Sequence, residues 1–93
     1  MHEVGEGNVR PMHLTDREVE RLGEMEHARW MIERLRDGWH WGPERNVEDK
    51  ITPYLVPWHM LSEEVKEWDR NTVREIPQYL AKMGIEVLRG KRP

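Results

Sequence analysis

Phenylalanine and cysteine are absent from these 93 residues, and serine occurs once, at Ser62. Without cysteine there is no disulfide framework and no thiolate zinc site. The histidines His2, His13, His40 and His59 lack zinc-like spacing. Glu24 and His27 have the Glu-x-x-His spacing of di-iron bundles, but two helices do not supply the matching carboxylates. No metal and no cofactor are expected. Nucleophilic catalysis is equally short of candidates, because the single serine reads as a helix cap and no glycine-rich phosphate loop is present. The 18 Asp and Glu residues read as a solvated surface rather than an acid–base pair. The chain is therefore not expected to be an enzyme. Long apolar runs are missing too. MHEVGEGNVR has no hydrophobic leader segment, and nothing approaches the roughly 20 apolar residues of a membrane span. Basic charge is not in excess: the net charge is -3 and the pI is 5.9. That speaks against nucleic acid or a membrane surface as partner, and only the end RGKRP points the other way. The expectation is a soluble, cytoplasmic domain, read either as a complete chain or as one module of a larger protein.

What remains must build a small core. Apolar residues make up 37% and charged residues 35%, so five Trp, six Met and two Tyr have to supply bulk. One domain near the lower size limit for independent folding is expected.

Residues 1–14, with Gly5, Gly7 and Pro11, read as a flexible N-terminal arm. Thr15 and Glu18 form a capping-box pattern, and the helix it opens runs to about Asp37, with Gly38 placed for the left-handed stop. Residues 38–61 form a long connection carrying Pro43, Pro53 and Pro57. It is expected to be ordered, pinned by Trp39, Trp41, Tyr54, Leu55, Val56 and Trp58. Ser62 caps a second helix, where Val65, Trp68, Val73, Ile76, Leu80 and Met83 keep helical spacing. Asn71 is a candidate interruption, and Pro77 is expected to kink or restart that helix. Gly84 ends it, Ile85–Leu88 reads as a short strand or packed extended tail, and 89–93 as a basic tail. The fold class is mainly α: two antiparallel helices under a long ordered Trp/Pro-rich loop, with room for a short β pairing.

At 100° per residue, Met25, Ala28, Met31, Ile32 and Leu35 gather on one arc of the first helix, which predicts the core stripe. His27, Trp30 and Arg34, spaced i, i+3, i+7, share the other side. An indole on a polar face needs cover, so the helix is expected to be sandwiched. The second helix would lie on one side and the loop on the other, with His27 and Arg34 hydrogen-bonded to loop carbonyls. A binding surface on the same side is the competing expectation.

EMEHARWMIERLRDGWHWGPERN, then PYLVPWHML, then AKMGIEV together resemble the RyR domain, the repeat module of ryanodine-receptor calcium channels. The module also occurs singly in bacterial and phage proteins. The resemblance spans about residues 20–88, giving a domain at 15–88. His27, Trp30, Arg34, Gly38, Trp39, Gly42 and Pro43 fit its first motif; Pro53, Leu55, Val56, Pro57 and Leu61 fit its second. Trp41 departs from the Tyr usual in channel repeats, and Pro77 falls where those repeats continue as helix. The resemblance implies a non-enzymatic module. In the channels a paired cleft looks like an adenine-nucleotide and drug site, its stacking tryptophan at the position matching Trp39. A single copy would need a homodimer to build that cleft.

In an extended segment Trp39 and Trp41 point to opposite sides, so one ring can close the core while the other faces outward. A stacked indole contributes about 1–3 kcal/mol on a planar base, and Arg45 and Arg34, with Lys50 further along, are the anion candidates. The expected function is recognition of a nucleotide-like small molecule through Trp39, Trp41, Arg45 and Arg34. The alternative is a protein-interaction or homo-oligomerisation module without a small ligand, for which Trp- and Met-rich surfaces are suited. In both, His27, Trp30, Gly38, Gly42, Pro43, Pro53 and Pro57 are structural.

Overall fold

The computed structural model describes residues 9–90; the first part of the expected arm and the last three residues of the basic tail lie outside the described residues. Two helices, α1 (Asp16–Arg36) and α2 (Glu63–Lys82), are joined by a connection containing β1 (His40–Trp41), β2 (Ile51–Thr52) and a 3-10 turn (Trp58–Met60). The mainly helical class with a short pairing is as expected. The pairing is parallel, with His40 opposite Ile51 and Trp41 opposite Thr52. Only nine residues separate Trp41 from Ile51, and Asn46 bridges back to Ile51 in the antiparallel sense. Gly42 is buried at the end of β1, where a Cβ would run into the Ile51 side chain.

Each helix starts and stops on local chemistry. The Thr15 hydroxyl accepts from the Glu18 backbone N–H at 3.1 Å, and the Glu18 carboxylate accepts from the Thr15 N–H at 2.8 Å, which satisfies two otherwise orphan donors. Ser62 caps α2 by accepting from Val65. Gly38 (φ +89°) and Gly84 (φ +78°) take the left-handed conformation just beyond each helix. Both ends close as Schellman motifs: Trp39 donates to Arg34 and Gly38 to Leu35, while Ile85 donates to Leu80 and Gly84 to Ala81.

The helices run antiparallel: His27 shares a cavity with Val65 and Asp69, whereas Val19 shares a crevice with Arg74 and Gln78. The facing rows are Val19, Gly23 and His27 on α1 and Val73, Pro77 and Ala81 on α2. Every fourth residue on each helix faces the other, as in packing of i±4 ridges. Gly23 makes room for the Trp58 ring, whose Cη2 would sit 3.0 Å from an added Cβ. The Trp58 indole N–H donates to Glu20 at 2.8 Å, and Arg70 binds the same carboxylate at 2.8 Å. Arg70 and Lys66 also lie over the Trp58 ring.

The expected core stripe of α1 is on the wrong side. Met25, Ile32 and Leu35 are 56%, 51% and 59% exposed, Ala28 is exposed and Met31 half-buried. Helix α2 and the connection both cover the His27–Trp30–Arg34 side, so α1 is not sandwiched. The buried set is small, Val19, Leu61, Val73 and Ala81 with His27 and Thr52, and half-buried Trp30 and Trp58 pack beside His27 on the same side of α1, which leaves the Met25–Leu35 arc outside. On α2, Val73 is buried, but Trp68, Ile76 and Met83 are exposed. Helix α2 is also continuous through Asn71 and Pro77. Pro77 removes one helical donor, yet its ring is buried on the row facing α1, and that burial offsets the loss. Ile85–Leu88 forms no strand. Arg89 folds back to the start of α1, donating to Glu18 at 2.6 and 2.8 Å and to the His13 carbonyl.

Candidate functional site

The stop signal of α1 builds one wall of a groove. The Schellman motif sets the residue after Gly38 over the last turn, where a hydrophobic contact is usual. Here the contact joins an indole and a guanidinium: Arg34 Cζ lies 5.4 Å from the Trp39 ring centre and 5.5 Å from that of Trp30. Arg34 is thus held between two tryptophans, an arrangement contributing about 0.5–2 kcal/mol per contact. It was expected to bond loop carbonyls; among the described hydrogen bonds only His27 does, its Nε2–H donating to the Val56 carbonyl at 2.7 Å. His27 is 4% exposed and stacks on Trp30 at 5.7 Å.

The opposite wall comes from the connection. Lys50, in the left-handed region at φ +56°, donates to the Asp37 carbonyl at 2.7 Å and ties the loop to the end of α1. Lys50 is therefore a clamp, outside the groove lining. The Asn46 side chain accepts from Asp49 N–H at 3.0 Å and shapes the turn before it. Thr52 is buried and its hydroxyl accepts from Tyr54 N–H. Pro53 is half-buried beside it, and Pro57 precedes the 3-10 turn.

These elements enclose a groove of about 360 Å3 lined by Trp30, Arg34, Trp39, Arg45, Val47, Thr52, Tyr54 and Trp68. Its size falls within the range of small-molecule sites. Three of the four candidate ligand residues, Arg34, Trp39 and Arg45, meet there. The fourth, Trp41, is 56% exposed and does not line it. Trp39 is half-buried, so neither ring of the pair is a core residue. Arg34 and Arg45 pair with no carboxylate among the described residues.

A second cavity of about 150 Å3 adjoins the groove across Trp30, Tyr54 and Trp68, and adds His27, Val65 and Asp69. Tyr54 meets Trp68 edge-to-face at 5.7 Å. Burial pushes the Asp69 carboxyl above its ordinary range; Glu26 adds to the shift, and His27 opposes it. Sequence reasoning did not single out Trp68 or Asp69 as site residues. Trp68 was absorbed into the α2 apolar pattern, and Asp69 is one of many acidic residues. The available signal was their place one turn beyond Val65, opposite His27.

A model of the RyR domain family matches residues 8–89, a span holding both helices, the connection and both cavities. By that match the chain belongs to the RyR domain family.

Proposed function

We propose that this RyR domain is a non-catalytic recognition module whose groove takes a planar, anionic small molecule of the adenine-nucleotide kind. The observation carrying this reading is the convergence of Trp39, Arg34 and Arg45 on one groove. Trp39 offers a stacking surface, and two guanidiniums without carboxylate partners offer the anion contact. Trp30, Tyr54 and Trp68 supply the apolar lining that small-molecule sites use.

Titration with AMP or ATP, followed by tryptophan fluorescence, tests it. Saturable quenching is expected, and Trp39→Ala should weaken binding by about 1–3 kcal/mol, the usual contribution of one stacked base. Arg45→Glu should weaken it as well. Absence of any saturable signal at millimolar nucleotide, or a Trp39→Ala variant that binds unchanged, overturns the reading.

One observation favours a second reading, an assembly module: the α1 arc of Leu22, Met25, Ile32 and Leu35 is exposed along the helix. Exposed apolar side chains grouped on one helix face suit a contact site. Light scattering over a concentration series separates the two. A strict monomer that binds nucleotide supports the groove alone, and a dimer indifferent to nucleotide supports assembly.

A further inference from the structure

Among the described residues, Lys50 alone combines a side chain with a positive φ, +56°. That region is uncommon for residues with a Cβ, and strain of this kind persists where the surrounding contacts over-determine it. The backbone does part of this. The Lys50 N–H donates to Val47 C=O at 3.2 Å, and the Lys50 C=O accepts from His40 N–H at 2.9 Å. Ile51 and Asn46 exchange a pair of hydrogen bonds at 2.8 and 2.9 Å. All of these would form equally well around a glycine.

What the side chain adds is a bond across the loop. The Lys50 ammonium donates to the Asp37 carbonyl at 2.7 Å and lies 3.7 Å from the Asp37 carboxylate. Asp37 is the C-cap of α1, where carbonyls lack helical partners and the dipole favours a cation. Arg34 and Trp39, on either side of that cap, form one wall of the groove, while Arg45 and Val47 line it from the loop between β1 and β2. Arg45 and Val47 are both exposed, so packing does little to hold their wall in place.

We infer that Lys50 is a positioning residue for the groove: its ammonium latches the Arg45–Val47 wall to the end of α1, and the groove is preformed because of it. The strained backbone is what placing that side chain requires. The inference rests on the nucleotide reading for its ligand, and on the loop geometry alone for the latch.

Amide hydrogen exchange on the free full chain, together with AMP titration followed by tryptophan fluorescence, tests both parts. Lys50→Met keeps the strain and removes the latch, Lys50→Gly removes both, and Lys50→Arg restores a cationic donor. In the Met and Gly variants, protection of the Asn46 and Ile51 amides should fall about tenfold as the loop opens locally. AMP affinity should fall about tenfold with it, as expected when the competent form is held about a tenth of the time. Lys50→Gly should nevertheless melt higher than Lys50→Met, so affinity and stability separate, which a purely structural role does not produce. Lys50→Arg should recover most of the affinity. Asn46 and Ile51 amides as well protected in Lys50→Met as in the wild type would overturn the inference, and so would AMP affinity that simply follows Tm across the three variants. If the wild type binds no AMP while the two amides still open in Lys50→Met, the nucleotide reading fails and the latch stands.

Discussion

Truncating one histidine should harm this domain far more than truncating an isoleucine on the same helix, the reverse of what hydropathy alone suggests. His27 is 4% exposed, donates to Val56 C=O and stacks on Trp30. In His27→Ala the Val56 carbonyl loses its partner in a covered site, which costs about 1–3 kcal/mol. The vacated ring leaves a cavity, and large-to-small core changes cost about 2–5 kcal/mol. The two terms overlap, so about 4 kcal/mol is expected for the variant, a large share of the roughly 5–15 kcal/mol that holds a domain folded. For a chain of this size that corresponds to a fall in Tm of roughly 15–30 °C. Ile32 is half exposed on the bare arc, and Ile32→Ala should change stability by only about 0.5 kcal/mol. Urea unfolding followed by tryptophan fluorescence at low micromolar protein, where self-association contributes little, reads both values. If Ile32→Ala costs as much as His27→Ala, the assignment of the inward face is wrong.

Gly38→Ala forces a Cβ into the left-handed stop of α1 at φ +89° and should lower stability by about 1–2 kcal/mol; a Tm unchanged by thermal melt would contradict the Schellman closure. Asp69→Asn should raise Tm at pH 7. Burial holds the folded carboxyl above its usual range, so its contribution is present at low pH and lost as pH rises through the folded value; the gap between variant and wild type should close by about pH 3. Glu18 has the opposite sign: the Arg89 guanidinium beside it and the Thr15 N–H lower it from 4.5 to about 2. Its contribution is full above the unfolded value and is lost as pH falls toward about 2, so Arg89→Ala should flatten the acid limb of a Tm-versus-pH curve between pH 5 and about 2.

Element boundaries were readable because capping chemistry is local. Thr15 with Glu18, Ser62, Gly38 and Gly84 each announce a helix end, and all four end helices here. Orientation was not readable from periodicity. The arc of Met25, Ile32 and Leu35 has the spacing of a core stripe, but α1 as a whole is only weakly amphipathic, far less so than α2. The true inward row, Val19, Gly23 and His27, contains a residue with no side chain and one that hydropathy scales as polar. What gives the row away is shape and bonding: Gly23 admits Trp58, and His27 reaches a loop carbonyl 29 residues on. Pro77 shows the same limit, because a rule about a missing donor carries no information about the burial that compensates for it. The groove was half visible. Trp39, Arg34 and Arg45 were chosen from the helix stop and the loop, whereas Trp68 joins the groove, and Asp69 the smaller cavity beside it, only through the antiparallel return of α2.

The most direct test of the account is a crystal structure of the domain with an adenine nucleotide. Density for the ring is expected against Trp39, with phosphate oxygens within hydrogen-bond reach of Arg34 or Arg45. Ordered nucleotide bound elsewhere on the surface, with an empty groove beside Trp39, would contradict it.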